Sequence, residues 1–242
     1  MDNDLKRLGL IIPSVNVVIE HDLKWFLPAW VTAHVTRVRL TGTSAPELSR
    51  VLDDVPAAAS MLADAGVDAI GLACTGASMM GGAGSERALS EKIAAAIGLP
   101  ATNTTEALLD AFRALGIRRV ALFSPFDDCF NAVEAAMLES AGIQVVKTVG
   151  LGITNPRLCA GIPPESVVSQ AAAADCPEAD GVFLSCANLR GFEAAAPLER
   201  ALQKPVVTSN QAVLWAMLRL AGARCGTAFG GTLFDAALQE VA

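Results

Sequence analysis

Short uncharged runs of apolar residues alternate along this chain with longer stretches of helical periodicity. Four of the runs have the length of a buried strand, namely 8–12, 69–73, 120–123 and 181–184. Such uninterrupted runs are typical of parallel strands that are covered on both faces. Other stretches are rich in alanine and amphipathic, as in 85–97, 106–115 and 131–141. Strands and helices in alternation predict βαβ units, so the expected fold class is α/β with parallel sheets.

The same pattern occurs twice. The run RLGLIIP, which ends at Pro13, resembles RVALFSP, which ends 112 residues later at Pro125. The run that ends at Cys74 recurs at the same offset and ends at Cys186. A third match, between LP…EALL and KP…QAVL, follows at an offset of 105. Three matches in the same order indicate an internal duplication of the α/β unit.

The duplication predicts two similar Rossmann-like halves, 1–115 and 116–207, whose parallel sheets are related by a pseudo-twofold axis. We expect the remaining segment, 208–242, to pack back on the first half. Ligands of open α/β sheets bind beyond the carboxyl ends of the strands. Cys74 and Cys186 each end an apolar run at such a position, so they are expected to face each other across the cleft between the halves.

The matched positions separate these two cysteines from the rest. A free cysteine is most often a small buried hydrophobic residue. Four of the six cysteines have no counterpart in the other half and are predicted to be core residues: Cys129, Cys159, Cys176 and Cys225. Cys74 and Cys186 are instead followed by small or polar residues, whose free backbone N–H groups favour a thiolate and a bound carboxylate.

Composition excludes several classes of function. The net charge of −7, without a basic cluster, argues against a nucleic-acid partner. No pair of cysteines has CxxC spacing and the chain has two histidines, so no metal site is expected. The acidic start and the lack of a long apolar stretch predict neither a signal peptide nor a membrane span. We therefore expect a cytoplasmic protein.

Five short segments resemble the aspartate/glutamate racemase superfamily, within it the branch of maleate cis-trans isomerases and arylmalonate decarboxylases. The segments are 11–16 (IIPSVN), 72–78 (LACTGAS), 150–155 (GLGITN), 184–188 (LSCAN) and 207–212 (VTSNQA). The resemblance covers nearly the whole chain. It implies an enzyme without a cofactor that acts on a small carboxylic acid, with Cys74 and Cys186 as catalytic residues. It further implies a substrate-binding set of Asn16, Thr75, Gly76, Phe126, Asn155, Ala187, Asn188, Ser209 and Asn210.

Within this branch the two cysteines distinguish the reactions. In the isomerases the first cysteine adds to the double bond and the second handles a proton, whereas the racemases use the two thiols as base and acid. The decarboxylases keep only the second cysteine, so Cys74 argues against decarboxylation. The isomerases also carry a tyrosine where this chain has Phe126, and the chain contains no tyrosine. That missing hydroxyl argues against maleate itself as the substrate.

The resulting expectation is an isomerase or racemase of a maleate-like, amino or 2-substituted acid, which forms a dimer or larger homo-oligomer. An arylmalonate-type decarboxylase and a hydantoin-type racemase on the same scaffold stay open as alternatives. A non-catalytic binding protein for small carboxylates is the alternative from another class. Thiol reactivity separates this last alternative from the others, because a binding protein does not need an activated cysteine.

Overall fold

The chain folds into two four-stranded parallel sheets with helices packed against them. The computed structural model describes residues 5–82, 84–223 and 231–239. The first sheet contains β1 (Lys6–Pro13), β2 (Val31–Val38), β3 (Ala69–Leu72) and β4 (Ala101–Asn103). Its helices are α1 (Val18–Phe26), α2 (Ala45–Asp64), α3 (Thr75–Ser78), α4 (Ser85–Ile97) and α5 (Thr104–Leu115).

The second sheet contains β5 (Arg119–Phe126), β6 (Gln144–Ile153), β7 (Gly181–Leu184) and β8 (Val206–Thr208). The helices that follow these strands are α6 (Asp128–Ser140), α7 (Pro164–Ala172), α8 (Gly191–Leu202) and α9 (Ser209–Leu220), with a 3-10 helix at Pro156–Gly161 and α10 at Thr232–Gln239. The strand orders are β2-β1-β3-β4 and β6-β5-β7-β8, so each strand has a counterpart in the other sheet. The predicted α/β fold of two similar halves is confirmed.

Matched polar contacts hold the corresponding strands in the same register. Asp68 precedes β3, and its Oδ2 accepts the backbone N–H of Arg7 at 2.7 Å. Asp180 precedes β7, and its Oδ2 accepts the backbone N–H of Arg119 at 2.9 Å. Each aspartate also donates its own N–H to the carbonyl of its arginine at 2.8 Å. These contacts tie β3 to β1 and β7 to β5, which places Cys74 and Cys186 at equivalent strand ends.

Helix α5 of the first half and helix α9, which follows the second half, pack across the boundary between the halves. On α5, Phe112 makes an edge-to-face contact with Phe183 of β7, with ring centroids 5.9 Å apart. On α9, Met217 lies so close to Gly71 of β3 that a Cβ on that glycine would stand 2.4 Å from its sulfur. The two helices also pack against each other. One buried apolar core therefore extends through both halves and fixes them relative to each other.

The structure describes the C-terminal segment 208–242 only in part. Cys225, predicted to be a core residue, lies outside the described residues. Within the segment 208–242, α9 contacts β3, β4 and α5 of the first half, and α10 contacts α5 and α9.

None of the helices in the described ranges combines the length and the apolar composition that are needed to cross a membrane.

Candidate active site

A pocket between the two halves holds both matched cysteines. It contains about 420 Å³ of space, part of which is open to solvent. Eight of the eleven predicted site residues line it: Asn16, Cys74, Thr75, Gly76, Phe126, Cys186, Ala187 and Asn188. The pocket lies beyond the carboxyl ends of β3 and β7, where ligands of open parallel sheets bind.

Cys74 lies between β3 and the short helix α3. Its backbone is extended, with φ −142° and ψ 99°, and its carbonyl accepts the Ser78 hydroxyl at 2.8 Å. Only 3% of the residue is exposed. Burial raises the pKa of the Cys74 thiol to about 11, although a hydrogen bond from the backbone N–H of Ala77 opposes the shift. Cys74 is therefore a neutral thiol at neutral pH in the described structure.

Cys186 adopts a strained backbone conformation. Its φ of 100° lies in the left-handed region that few residues other than glycine adopt. Its backbone N–H donates to the Ser209 hydroxyl at 3.2 Å. A hydrogen bond with the Cys159 thiol, together with burial, raises the pKa of Cys186 well above its ordinary value. At neutral pH Cys186, like Cys74, is therefore a protonated thiol in the described structure.

The other described cysteines differ from the core prediction in part. Cys159 is fully buried as predicted, yet it is hydrogen-bonded to Cys186, and this bond lowers its own pKa. Cys176 is half-buried. Cys129 is exposed, so its prediction as a core residue is wrong. It lies in the first turn of α6. The buried face of this helix is formed instead by Asn131, Glu134, Met137 and Leu138.

Ser209 joins the two cysteine loops from behind the pocket. Its hydroxyl oxygen accepts the Thr75 hydroxyl at 2.9 Å and the backbone N–H of Cys186 at 3.2 Å. Ser209 is the first residue of α9, and the preceding Thr208 caps that helix in a capping box with Gln211. In the described structure the Ser209 hydroxyl thus forms a bridge between the two loops, and its predicted contact with a substrate stays a prediction.

Two asparagines that line the pocket also connect the halves. The Nδ2 of Asn16 donates to the carbonyl of Ala187 at 2.8 Å, and its Oδ1 accepts the N–H groups at the start of α1. Asn188 accepts the backbone N–H of Val17 at 2.9 Å and donates to the carbonyl of Pro156 at 2.9 Å. Both amides hold loops, so their freedom to bind a substrate is limited.

Two further predicted residues do not line the pocket. Asn155 is exposed, and its side chain accepts the backbone N–H of Arg157 at 3.1 Å, which begins the 3-10 helix. Asn210 is buried, where its Nδ2 donates to Asp22 at 2.7 Å and to the carbonyl of Ala187 at 3.1 Å. Polar residues that follow strands are common helix caps and turn formers, and that structural role accounts for Asn155.

Two buried carboxyl groups behind the pocket were not singled out by the sequence. Asp22 lies on α1 and Glu134 on α6, and they are 1% and 0% exposed. Burial raises the pKa of Asp22 from 3.8 to about 8 and that of Glu134 from 4.5 to about 7. Their numbers differ by 112, the offset that also pairs Cys74 with Cys186. The repeat therefore contained a signal for this acidic pair.

The pocket wall is apolar around the two thiols. It includes Leu40 and Leu48 from the first half and Phe126 and Phe130 from the second. The two phenylalanine rings lie with centroids 4.3 Å apart. None of the described lining residues has a charged side chain. A carboxylate in this pocket would depend on backbone N–H groups and hydroxyls for its hydrogen bonds.

The described residues do not bring three or more His, Cys, Asp or Glu side chains together as a metal site. The reactive groups that the pocket contains are the thiols of Cys74 and Cys186, which come from different halves of the molecule. Such a pair can exchange protons with a bound carbon acid, or one thiol can attack it.

The sequence of this chain is similar to those of known enzymes. A family model described as arylmalonate decarboxylase matches residues 8–234. The chain belongs to this family. The arylmalonate decarboxylase of Bordetella bronchiseptica is 35% identical over 198 residues, which are 80% of this chain and 82% of that protein. The predicted resemblance to this branch is confirmed.

Solved structures of maleate isomerases share the family fold. That of the maleate isomerase Iso from Pseudomonas putida S16 matches with a TM-score of 0.90 at 28% identity, over 95% of this chain and 98% of the other. A mutant of the Nocardia farcinica maleate cis-trans isomerase, with a covalently bound succinylcysteine intermediate, matches with a TM-score of 0.88 at 25% identity, over 95% and 98%. The relatives are enzymes, which supports the prediction of an enzyme in this family.

Proposed function

We propose that the protein is a cofactor-independent isomerase or racemase of a carboxylic acid, with Cys74 and Cys186 as its reacting groups. The observation that carries this proposal is that both thiols line one pocket, each at the end of an equivalent strand of a different half. A substrate between them can meet one thiol on each face.

The two thiols support either of two related reactions. In a racemisation, one cysteine as thiolate removes the proton α to the carboxylate, and the other as thiol returns a proton to the opposite face. In a cis-trans isomerisation, the Cys74 thiolate adds to the double bond while Cys186 supplies a proton. Rotation about the new single bond and reversal of both steps then release the isomer and the free thiolate. A succinylcysteine adduct in the Nocardia farcinica relative supports the second route.

The pocket wall favours a substrate with one carboxylate and an apolar substituent. Leu48, Phe126 and Phe130 supply contact surface for such a group, and no charged side chain among the described lining residues would neutralise a second carboxylate. We assign the single carboxylate to the backbone N–H groups next to the two cysteines, at Thr75 and Ala187. Preorganised N–H donors of this kind stabilise the negative charge that develops on an enediolate.

Decarboxylation is the second candidate reaction. The similarity to the Bordetella bronchiseptica arylmalonate decarboxylase favours it, and the apolar wall suits an aryl group equally well. In this reaction an acid with two carboxylates on one carbon loses carbon dioxide, and the resulting enediolate takes one proton from Cys186. Cys74 would then have no necessary role.

Alanine variants of the two cysteines distinguish these reactions. We would supply 2-arylpropionate, arylmalonate and maleate, and follow deuterium exchange at the α-carbon, release of carbon dioxide and isomerisation. The two-thiol reaction predicts that Cys74→Ala and Cys186→Ala each lower turnover by about a hundredfold or more. The matched control is Cys129→Ala, because Cys129 is exposed and outside the pocket lining.

The outcomes point in different directions. Loss of carbon dioxide release in Cys186→Ala, with normal release in Cys74→Ala, would replace the proposal by the decarboxylase. Full turnover in both variants would show that the thiols take no part. Protection of Cys74 from alkylation by one acid, without turnover of any acid, would support the binding protein instead.

A further inference from the structure

Glu134 is a buried carboxyl group with little to compensate its charge. It lies on α6 and is 0% exposed. Its Oε1 accepts the Ser185 hydroxyl at 2.5 Å, while its Oε2 has no hydrogen-bond partner among the described residues. An ionised carboxylate in such surroundings is costly, and an apolar side chain of similar size would stabilise the fold at least as well. Packing alone therefore does not account for a glutamate here.

The position of Glu134 connects it to the candidate site. Ser185, which binds Glu134, is followed directly by Cys186. Cys186 lines the pocket, whereas Glu134 is buried outside the lining and contacts the loop from behind through Ser185. Buried titratable groups with a specific partner cluster at functional sites.

Three groups act on the ionisation of Cys186. The hydrogen bond and charge of Cys159, on the 3-10 helix, raise the pKa of Cys186 most, together with burial. The backbone N–H of Asn188 lowers the pKa of Cys186, and the negative charge of Glu134 makes a smaller contribution that raises it. For Cys74 the causes are burial and the opposing N–H of Ala77. The two matched thiols thus differ in their charged surroundings.

We propose that Glu134 is a positioning residue that acts through Cys186: its carboxylate, held by Ser185 behind the loop, adds a negative charge that favours the protonated form of the Cys186 thiol, the proton donor of the proposed reaction. This role rests on the proposed function, in which Cys186 gives up a proton. The effect of the charge on the thiol itself requires no substrate and can be measured independently.

The direction of the pH dependence follows from burial. Because burial raises the pKa of Glu134 to about 7, the group is neutral below that pH and charged above it. Its charge therefore acts on Cys186 above about pH 7, where thiols begin to ionise. Removal of the charge should leave Cys186 more acidic in this range.

The experiment measures the alkylation rate of each cysteine by iodoacetamide at pH 9, with peptide mass mapping. Glu134→Gln removes the charge and keeps an acceptor for the Ser185 hydroxyl. Glu134→Leu removes both and replaces a buried carboxyl by an apolar group, so at least this variant is expected to fold stably. We expect Cys186 to react about ten times faster in both variants than in the unmodified protein.

Two controls separate a charge effect from a loosened structure. Cys74 in the same sample should keep its rate, because Glu134 is not among the groups that act on it. Glu106→Gln changes another carboxyl group that has a buried, unpartnered oxygen, on α5, and should leave Cys186 unchanged. An unchanged Cys186 rate in both Glu134 variants would overturn the proposal, as would an equal acceleration of Cys74.

Turnover then tests the connection to the proposed function. If Cys186 is the proton donor, the pH profile of kcat in Glu134→Gln should shift to lower pH on its alkaline side. Faster alkylation of Cys186 with an unchanged pH profile would support the charge effect. It would overturn the assignment of Cys186 as the proton donor, so the two failures can be distinguished.

Discussion

Asp22 offers a quantitative test of how burial controls ionisation next to the site. Its Oδ2 accepts the Asn210 amide at 2.7 Å, while its Oδ1 and the Oδ1 of Asn210 are buried without a hydrogen-bond partner among the described residues. His21 Nδ1 lies 3.9 Å from Oδ1, too far for a hydrogen bond. Burial raises the pKa of Asp22 from 3.8 to about 8, although the bond from Asn210 opposes the shift. The folded protein thus keeps Asp22 protonated at neutral pH.

The raised pKa determines the sign of the pH dependence. Above about pH 4 the unfolded chain releases the proton that the folded protein retains, so stability falls as pH rises through the folded pKa of about 8. Each pH unit in this window costs about 1.4 kcal/mol. Between pH 5.5 and 7.5 Asp22 therefore lowers the free energy of unfolding by roughly 2.5 kcal/mol.

Asp22→Asn removes this dependence and keeps the shape of the side chain. The new amide can accept from Asn210 through its oxygen and donate to the unpartnered Oδ1 of Asn210 through its nitrogen. We would measure urea unfolding of both proteins at pH 5.5 and 7.5. The advantage of the variant should grow by roughly 2.5 kcal/mol between the two pH values.

Other titrating groups cancel in this comparison. Glu134, with its pKa raised to about 7, contributes equally to both proteins. Asp180 titrates far below the window, because its contacts with Arg119 lower its pKa to about 2. A difference between variant and unmodified protein that is the same at both pH values would refute the reasoning. Asp22 would then hold no extra proton in the folded state.

Three further predictions concern the pocket and the sheets. In Gly76→Ala the new Cβ would lie 3.0 Å from Leu48 and 3.3 Å from Phe130, so KM for an acid with a bulky substituent should rise roughly tenfold. Phe126→Tyr adds a donor to the apolar wall, and kcat/KM for a dicarboxylic acid relative to an apolar monoacid should rise roughly tenfold. In Gly181→Ala the Cβ would lie 2.8 Å from the backbone oxygen of Pro205, so urea denaturation should show a loss of about 1–3 kcal/mol.

Much of the fold follows from the pattern of apolar residues. The predicted strand 181–184 coincides with β7, and 8–12 lies within β1. Such runs are decisive because a strand buried on both faces requires an uninterrupted apolar sequence. The repeat indicated that the segment with α9 packs on the first half, but the contact of α5 with β7 of the second half was not predictable in the same way. An amphipathic helix shows which of its faces is buried, but not which sheet covers that face.

The candidate site was predictable where the repeat marked it. The matched offset predicted that Cys74 and Cys186 would meet, and the structure brings both to one pocket. The polar residues were harder, because an asparagine or serine after a strand serves equally well as a ligand or as a helix cap. Asn155 begins a 3-10 helix and Ser209 bridges two loops. Sequence alone does not separate these uses.

The two halves have the same strand order, but their buried acidic residues have different hydrogen-bond partners. Asp22 and Glu134 occupy matched positions in the two halves, and each is buried with a raised pKa. Asp22 binds Asn210, whose amide also donates to the carbonyl of Ala187. Glu134 binds Ser185. Both contacts therefore converge on the loop that carries Cys186.

Because both contacts reach the loop of Cys186, the two cysteines have different chemical environments although each follows an equivalent strand. Here Glu134 accepts the hydroxyl of Ser185 before Cys186, while Asp22 accepts the Asn210 amide that also donates to the carbonyl of Ala187. The duplication thus provides the matched positions of the thiols, and the residues that diverged between the halves give the two thiols different polar neighbours.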